Sequence, residues 1–392
     1  MKGLAILAIS LHNFFHFVSP AQQNEFAFNP ARFPLFLATV RHPALAIQAV
    51  FSFFGHFGVQ IFIFLSAYGL ARCHWESRAS WAGFMKERIR KLYPAFALVV
   101  IPWFVVVALN VRAQAAIFEV GFNLMYLFLG LPPILGHGVP PVAPWWFISF
   151  IVQFYALWPF LRGITKRFAW PGLLVLSASC LVVCQLANPV LARYSTNLFL
   201  TPIGRMPVIC FGIFAARYGV RVGAPLALAG LAVLLLGSQY GPLWSFTFLG
   251  ALLVALWLYL QARGVLRRFP VLVRMGEYSL YVFLVNAIVR DQFVPLATSP
   301  ASQLLLGCAS TAVSFLIGAC MHEFLLPGPD LRAPWPSALQ RGLGAPPSVL
   351  PRRQAWAEAR PAQFRDMDAA DALPLHFHAS SAFIPSSARH LE

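Results

Sequence analysis

The sequence predicts an all-α fold: a polytopic transmembrane helix bundle of about ten spans, with both termini cytoplasmic. Three observations carry this. Of 392 residues, 59% are hydrophobic and 11% charged, where a soluble protein has about 25% charged residues. The mean hydropathy is +0.69. Apolar runs long enough to cross a bilayer, about 17–23 residues, recur along the chain.

The runs fall at roughly 3–18, 49–71, 92–111, 145–161, 171–187, 199–216, 222–238, 242–262, 276–290 and 303–325, with a weaker one at 115–131. Lys2 is a minimal basic region before the first run, but Ser19-Pro20-Ala21 is a poor cleavage site, so this segment is read as a retained span rather than a signal peptide. Charge bias decides the status of 115–131. If it does not span, sixteen basic residues fall in the cytoplasmic loops and five outside, as the positive-inside rule requires. If it spans, Arg162, Lys166 and Arg167 move outside and the bias is spoiled. The run is therefore expected as an interfacial or re-entrant outer helix beside the Gly/Pro-rich stretch 130–144. Runs seven and eight are joined by Ser238–Pro242, a tight turn by its Gly-Pro pair. Residues 1–326 form the membrane domain, and 327–392, rich in Pro and Ala, read as a disordered cytoplasmic tail.

The formal charge of +16 does not mark a nucleic-acid binder, because the basic residues sit in short loops between spans. The six cysteines show no metal-ligand spacing and, apart from Cys73, lie within apolar runs as small packing residues. No metal site is expected.

Titratable groups at membrane depth are costly and usually face a cavity or a reaction path. The first run carries His12 and His16, four apart and so on one helix face, with Asn13 between them, and His56 opens the second run. A neutral imidazole is the best available base for an alcohol near pH 7; the plainer alternative is that each His caps a helix–helix hydrogen bond. The segment Phe84–Pro94 gathers Lys86, Arg88, Arg90 and Lys91. Charge alone favours orientation and anionic lipid there, while a phosphorylated donor is the functional alternative. Ser149 and Gln153 share a face of the fourth run, Trp145 and Trp146 are expected in an outer aromatic belt, and Arg205 lies inside the sixth run and needs a partner or a substrate. No carboxylate lies within a run away from its ends, which weakens an ion-driven transporter.

Taken in order, these pieces resemble the acyltransferase-3 family of bacterial membrane O-acyltransferases. The resemblance rests on Lys2…His12, on Gly58-Val59-Gln60…Ser66-Ala67-Tyr68-Gly69, on Arg88-Ile89-Arg90-Lys91-Leu92-Tyr93-Pro94, on Trp146…Ser149…Gln153-Phe154-Tyr155…Pro159, on Gly204-Arg205…Pro207…Gly212, and on Gly276…Ser279…Asn286. Three departures are visible. Nine residues rather than ten separate Lys2 from His12, so Asn13 holds the regular slot and His16 stays an alternative base. Ile151 and Val152 stand where many members carry acids, and Asn286 where many carry histidine.

The resemblance implies transfer of an acyl group, usually acetyl, from acyl-CoA to a hydroxyl of a cell-surface carbohydrate or glycolipid in the bacterial inner membrane. It implies no bound cofactor, acyl-CoA being a co-substrate. On it, His12 or His16 is the base, with Asn13 beside them in the catalytic group; Arg88 and Lys91, with Arg90 beside them, hold the donor's phosphates; Gln60, Ser149, Gln153, Arg205 and Asn286 line a polar cavity, where Ser149, Gln153 and Asn286, like Asn13, would orient the base or stabilise the oxyanion. Succinyl transfer, a flippase or transporter of glycan intermediates, and a non-catalytic scaffold are the competing readings.

Overall fold

Helices make up most of the described backbone, and their positions broadly follow the apolar runs. The computed structural model describes residues 1–23, 26–77, 79–110, 114–133 and 137–325. They belong to the first of two units, Met1–Pro334 and Trp335–Glu392, and the predicted tail at 327–392 lies outside the described residues.

The first helix, α1, runs Lys2–Val18 and stops before Ser19-Pro20. Two short helices follow, α2 (Arg32–Val40) and α3 (Pro43–Phe54); a 3-10 turn, Gly55–Phe57, then leads into α4 (Gly58–Cys73). Next come α5 (Trp81–Asn110), α6 (Gln114–Leu129) and the long α7 (Trp146–Leu191). The chain continues through α8 (Met206–Tyr218), α9 (Ala224–Gly237), the single turn α10 (Gly241–Trp244) and α11 (Thr247–Leu266). It ends with α12 (Pro270–Glu277), α13 (Ser279–Phe293) and α14 (Pro300–Cys320).

Each of the ten predicted runs contains a helix or part of one, and several are broken within their length. Among the described residues, five stretches are long and apolar enough to cross a membrane: Pro43–Cys73, Trp81–Asn110, Ala143–Tyr194, Thr247–Leu266 and Pro300–Glu323. The pair Pro270–Glu277 and Ser279–Leu296, bent by 78°, would make a sixth. The helices α1, α6, α8 and α9 are apolar but shorter, below the length of about 20 residues that spans the hydrocarbon core untilted. Two predicted runs merge in α7, which breaks at Ala169 (φ 51°, ψ −144°). Pro171 lacks an amide hydrogen and its ring crowds the carbonyl four residues back, so the helix cannot pass through this point straight. Large apolar side chains such as Leu109, Phe118, Leu174, Val175 and Leu186 stand on the outside of the bundle, where hydrocarbon rather than water suits them.

Two expectations are corrected. The Ser238–Pro242 link is not a bare tight turn, since α10 begins within it with Pro242 in its first turn, where a missing N–H is harmless. Trp145 and Trp146 are not belt residues. Trp145 is fully buried, its indole N–H donating to the Leu284 carbonyl at 3.0 Å, and Trp146 is buried with its ring edge-on to Phe26. A segment that folds back over the helix end satisfies them better than headgroups would.

The helix α1 sits at the centre, packed against α3, α4, α12, α13 and α14. Close approach depends on two glycines. A Cβ on Gly55 would fall 2.7 Å from both the Ala8 carbonyl and His12 Cβ, and one on Gly58 would fall 2.7 Å from the Ala5 carbonyl. These pairings also set direction: as α3 passes into α4, the chain descends α1 from His12 towards Lys2. The end of α4 therefore lies beyond the Lys2 end of α1.

Candidate active site

Three histidine rings meet midway along α1. The ring of His12 lies 5.1 Å from that of His16, one helical turn on, and 5.4 Å from that of His56 on the 3-10 turn. Because Gly55 has no side chain, the turn bearing His56 seats directly on α1 at the level of His12. His12 and His56 are buried and His16 is half-buried. Among the described residues, no group of three or more His, Cys, Asp or Glu is arranged to hold a metal ion.

The hydrogen bond to His12 defines its chemistry. Its Nδ1 lies 3.2 Å from the carbonyl oxygen of Phe51. A carbonyl can only accept, so Nδ1 carries the proton and, in the neutral ring, Nε2 holds the lone pair. This is the tautomer that a base or nucleophile facing a substrate requires, with the other nitrogen held by the scaffold.

Unpartnered buried polar atoms recur on α1 and on its neighbours. Ser10 Oγ, Ser52 Oγ, His56 Nδ1, both amide atoms of Gln60 and Asn286 Nδ2 have no hydrogen-bond partner among the described residues. All lie on α1 or on segments packed against it. Each such atom costs about 1–3 kcal/mol unless water or a ligand satisfies it. Asn13 donates to Asn286 Oδ1 at 2.9 Å, joining α1 to α13.

The other predicted cavity residues divide. Ser149 is buried with its Oγ unpartnered. Gln153 donates from Nε2 to the Gly130 carbonyl at 3.0 Å. Arg205 is not inside a helix; the 199–216 run becomes α-helical only at Met206, and Arg205 caps it. Fully buried, it donates from Nε to the Phe199 carbonyl at 3.1 Å, with its guanidinium 4.0 Å above the Phe248 ring and 5.8 Å from that of Trp146. Desolvated cation–π contacts of this kind reach about 2 kcal/mol. The Phe248 ring also meets Phe57, the neighbour of His56.

At the far end of α4 the basic cluster is more selective than its charge count. Arg88 is largely buried; its guanidinium bonds His74 Nε2 and lies over the rings of Phe84 and Tyr155. Lys91 is exposed and paired with Glu87 at 2.8 Å, and Arg90 is exposed. His74 and Arg162 complete the group: Arg162 donates to the Ser77 carbonyl at 2.7 Å, and burial, then the charge of Arg88, pushes the His74 imidazole below its ordinary value. A cavity of about 80 Å³ opens between His74, Trp81, Phe84, Trp158 and Arg162. Sequence reasoning passed over His74, a single histidine just past a span end, and counted Arg162 only as an orienting charge.

Comparison with known families gives a match over most of the chain. A family model described as an acyltransferase domain, that of the acyltransferase-3 family, covers residues 1–319. No curated protein and no solved structure matches significantly.

Proposed function

The chain belongs to that membrane acyltransferase family, and on this premise we propose that it transfers an acyl group, acetyl in the first instance, from acyl-CoA to a hydroxyl of a cell-surface or exported carbohydrate. The observation that carries the reading is the His12 Nδ1 contact with the Phe51 carbonyl, which leaves Nε2 to accept a proton. In the reaction the acceptor hydroxyl attacks the thioester carbonyl and its proton passes to His12 Nε2. The C–O bond forms, the C–S bond breaks, and the proton leaves with the thiolate of CoA. Asn286 Nδ2 and Ser149 Oγ, both buried and unpartnered, suit an oxyanion that develops and collapses within a cycle. His16 is the alternative base, one turn further along.

Arg88, with His74 and Arg162 nearby, suits the donor's phosphates, since a planar guanidinium grips phosphate with paired hydrogen bonds. Lys91 and Arg90, both exposed, contribute attraction more than grip. His74 lies sixteen residues beyond Gly58, about 24 Å along the axis, so the donor would have to lie extended along the bundle. The same reading places both termini in the cytoplasm of a bacterium, ten segments across the inner membrane, and α6 at the outer face.

The test is release of free CoA by the purified protein in nanodiscs, with acetyl-CoA, succinyl-CoA and surface glycans as substrates. Acceptor-dependent thiol release that is lost in His12→Ala is expected. A transporter would move a glycan without consuming the thioester, and that result would overturn the reading.

A further inference from the structure

A second cavity, of about 370 Å³, lies where the segment after α1, the end of α7 and the turn at α10 come together. It is within the range of about 300–1,000 Å³ usual for small-molecule sites. Its position beyond Val18 puts it at the opposite end of α1 from the basic cluster. We propose that it binds an uncharged sugar unit of the acceptor, flanking the unit that is acylated; this rests on the glycan-acyltransfer reading above.

The lining argues for the ligand class. Among the described residues it contains no Asp, Glu, Lys, Arg or His, so a carboxylate or phosphate entering the cavity would lose its hydration with no charged side chain in the lining to meet it. It is not simply apolar either. Gln185 Nε2 donates to the Pro242 carbonyl at 3.0 Å and to Ser245 Oγ at 2.8 Å, while Asn188 Oδ1 accepts from the Leu198 amide at 2.9 Å. Each side chain is thus fixed by one end of its carboxamide. Gln185 Oε1 and Asn188 Nδ2, which make no hydrogen bond among the described residues, are left as one oriented acceptor and one oriented donor. A sugar hydroxyl is both donor and acceptor and complements this pair; a lipid chain would leave both atoms unpaired. The aromatic rings of Phe26, Phe28, Phe199 and Trp244 supply flat apolar surface for the C–H face of a pyranose.

The floor explains why this unit is the flanking one. Phe199 and Trp244 contact Phe248 at 5.8 and 5.1 Å, and Phe248 contacts Phe57 at 6.4 Å beside His56. Packed aromatic rings therefore lie between the pocket and the histidines, so a sugar held here is recognised rather than acylated and another unit of the glycan chain reacts.

The experiment uses the full-length protein in nanodiscs and saturation-transfer NMR with methyl glycosides. The neutral probes are glucose, galactose, mannose, rhamnose and N-acetylglucosamine; the acidic ones are glucuronate and galacturonate. At least one neutral probe is expected to take up saturation and the acids are not. Ala192→Trp, which fills the mouth without removing a hydrogen bond, is expected to abolish the signal, and Gln185→Leu to weaken it. The proposal is overturned if no neutral glycoside is saturated, if the acids are saturated equally, or if the signal survives in both variants. Thiol release measured in parallel keeps the two readings apart. Sugar binding without donor consumption would overturn the acyltransfer reading but leave the site, and acceptor-dependent turnover without sugar contact would overturn the site alone.

Discussion

A single carbonyl sets the role of His12. With Nδ1 held by Phe51, truncation to His12→Ala should lower acyl transfer about 10²–10⁴-fold, the usual worth of a positioned general base. Membrane insertion should be unaffected and His16→Ala should have the smaller effect; steady-state thiol release on both variants checks this, and a larger loss at His16 would reverse the assignment. Burial also ranks the basic residues. Arg88→Ala should raise the KM for acyl-CoA roughly ten- to a hundredfold, the worth of one charge-assisted contact of about 1.5–3 kcal/mol. Lys91→Ala removes an exposed charge already paired with Glu87 and should change KM less than about fivefold. His74 gives a pH signature. Its folded-state value is held below the ordinary 6.5 by burial and by Arg88, so the folded protein binds fewer protons than the unfolded chain as pH falls below 6.5. Stability should therefore drop in that window. His74→Gln keeps an acceptor for Arg88 and does not titrate, so thermal unfolding between about pH 7 and pH 5 should show a shallower decline than the parent protein; an equal decline would remove His74 as the cause. The sequence showed His12, His16 and the basic segment because charged and titratable groups stand out in apolar runs. It hid the Phe51 contact, thirty-nine residues away, and the burial that separates Arg88 from Lys91, since both are products of packing.

The turn at Gly55–Phe57 determines how its neighbours sit on α1. Its glycine admits the backbone of α3 and α4 to within contact of His12 and Ala8. Gly55→Val should push this turn off α1, at a cost of about 1–3 kcal/mol for overpacking, and should impair activity more than stability because it separates His56 and Phe51 from His12. Comparing the unfolding midpoint with turnover for the variant tests this; full activity would mean that the turn does not set the site. The approximate positions of the helices were legible from the apolar runs, as in the runs at 145–161 and 171–187 that flank the break at Ala169. The non-helical start of the sixth run was passed over. The run at 199–216 counted as one segment, yet Pro202 and Gly204 are breaker residues within it, and the chain turns there before α8 begins at Met206.

Across the whole molecule, the two cavities give the bundle a polarity that composition alone does not. One is formed by segments 74–81 and 158–162 and the other by 26–28, 184–199 and 241–245. The direction of α4 along α1, given by the Gly55 and Gly58 pairings, puts the first beyond Lys2, while the second is lined in part by the segment that follows Val18. Counting basic residues assigned these same groups of loops to opposite sides of the membrane without any knowledge of contacts. The number of crossings is harder to read from either source, because helices of 13–17 residues such as α1, α8 and α9 cross only if they are extended by flanking chain or if the bilayer thins around them. Labelling tests the sidedness directly. In a protein whose native cysteines are replaced by serine or alanine, Ala192→Cys should react with a membrane-impermeant maleimide on intact cells, whereas Ala79→Cys should react only after permeabilisation. Both positions are exposed, so protection cannot be put down to burial. Labelling of both from one side would break the two-ended arrangement, and with it the route by which a donor held at Arg88 and an acceptor held near Trp244 converge on His12.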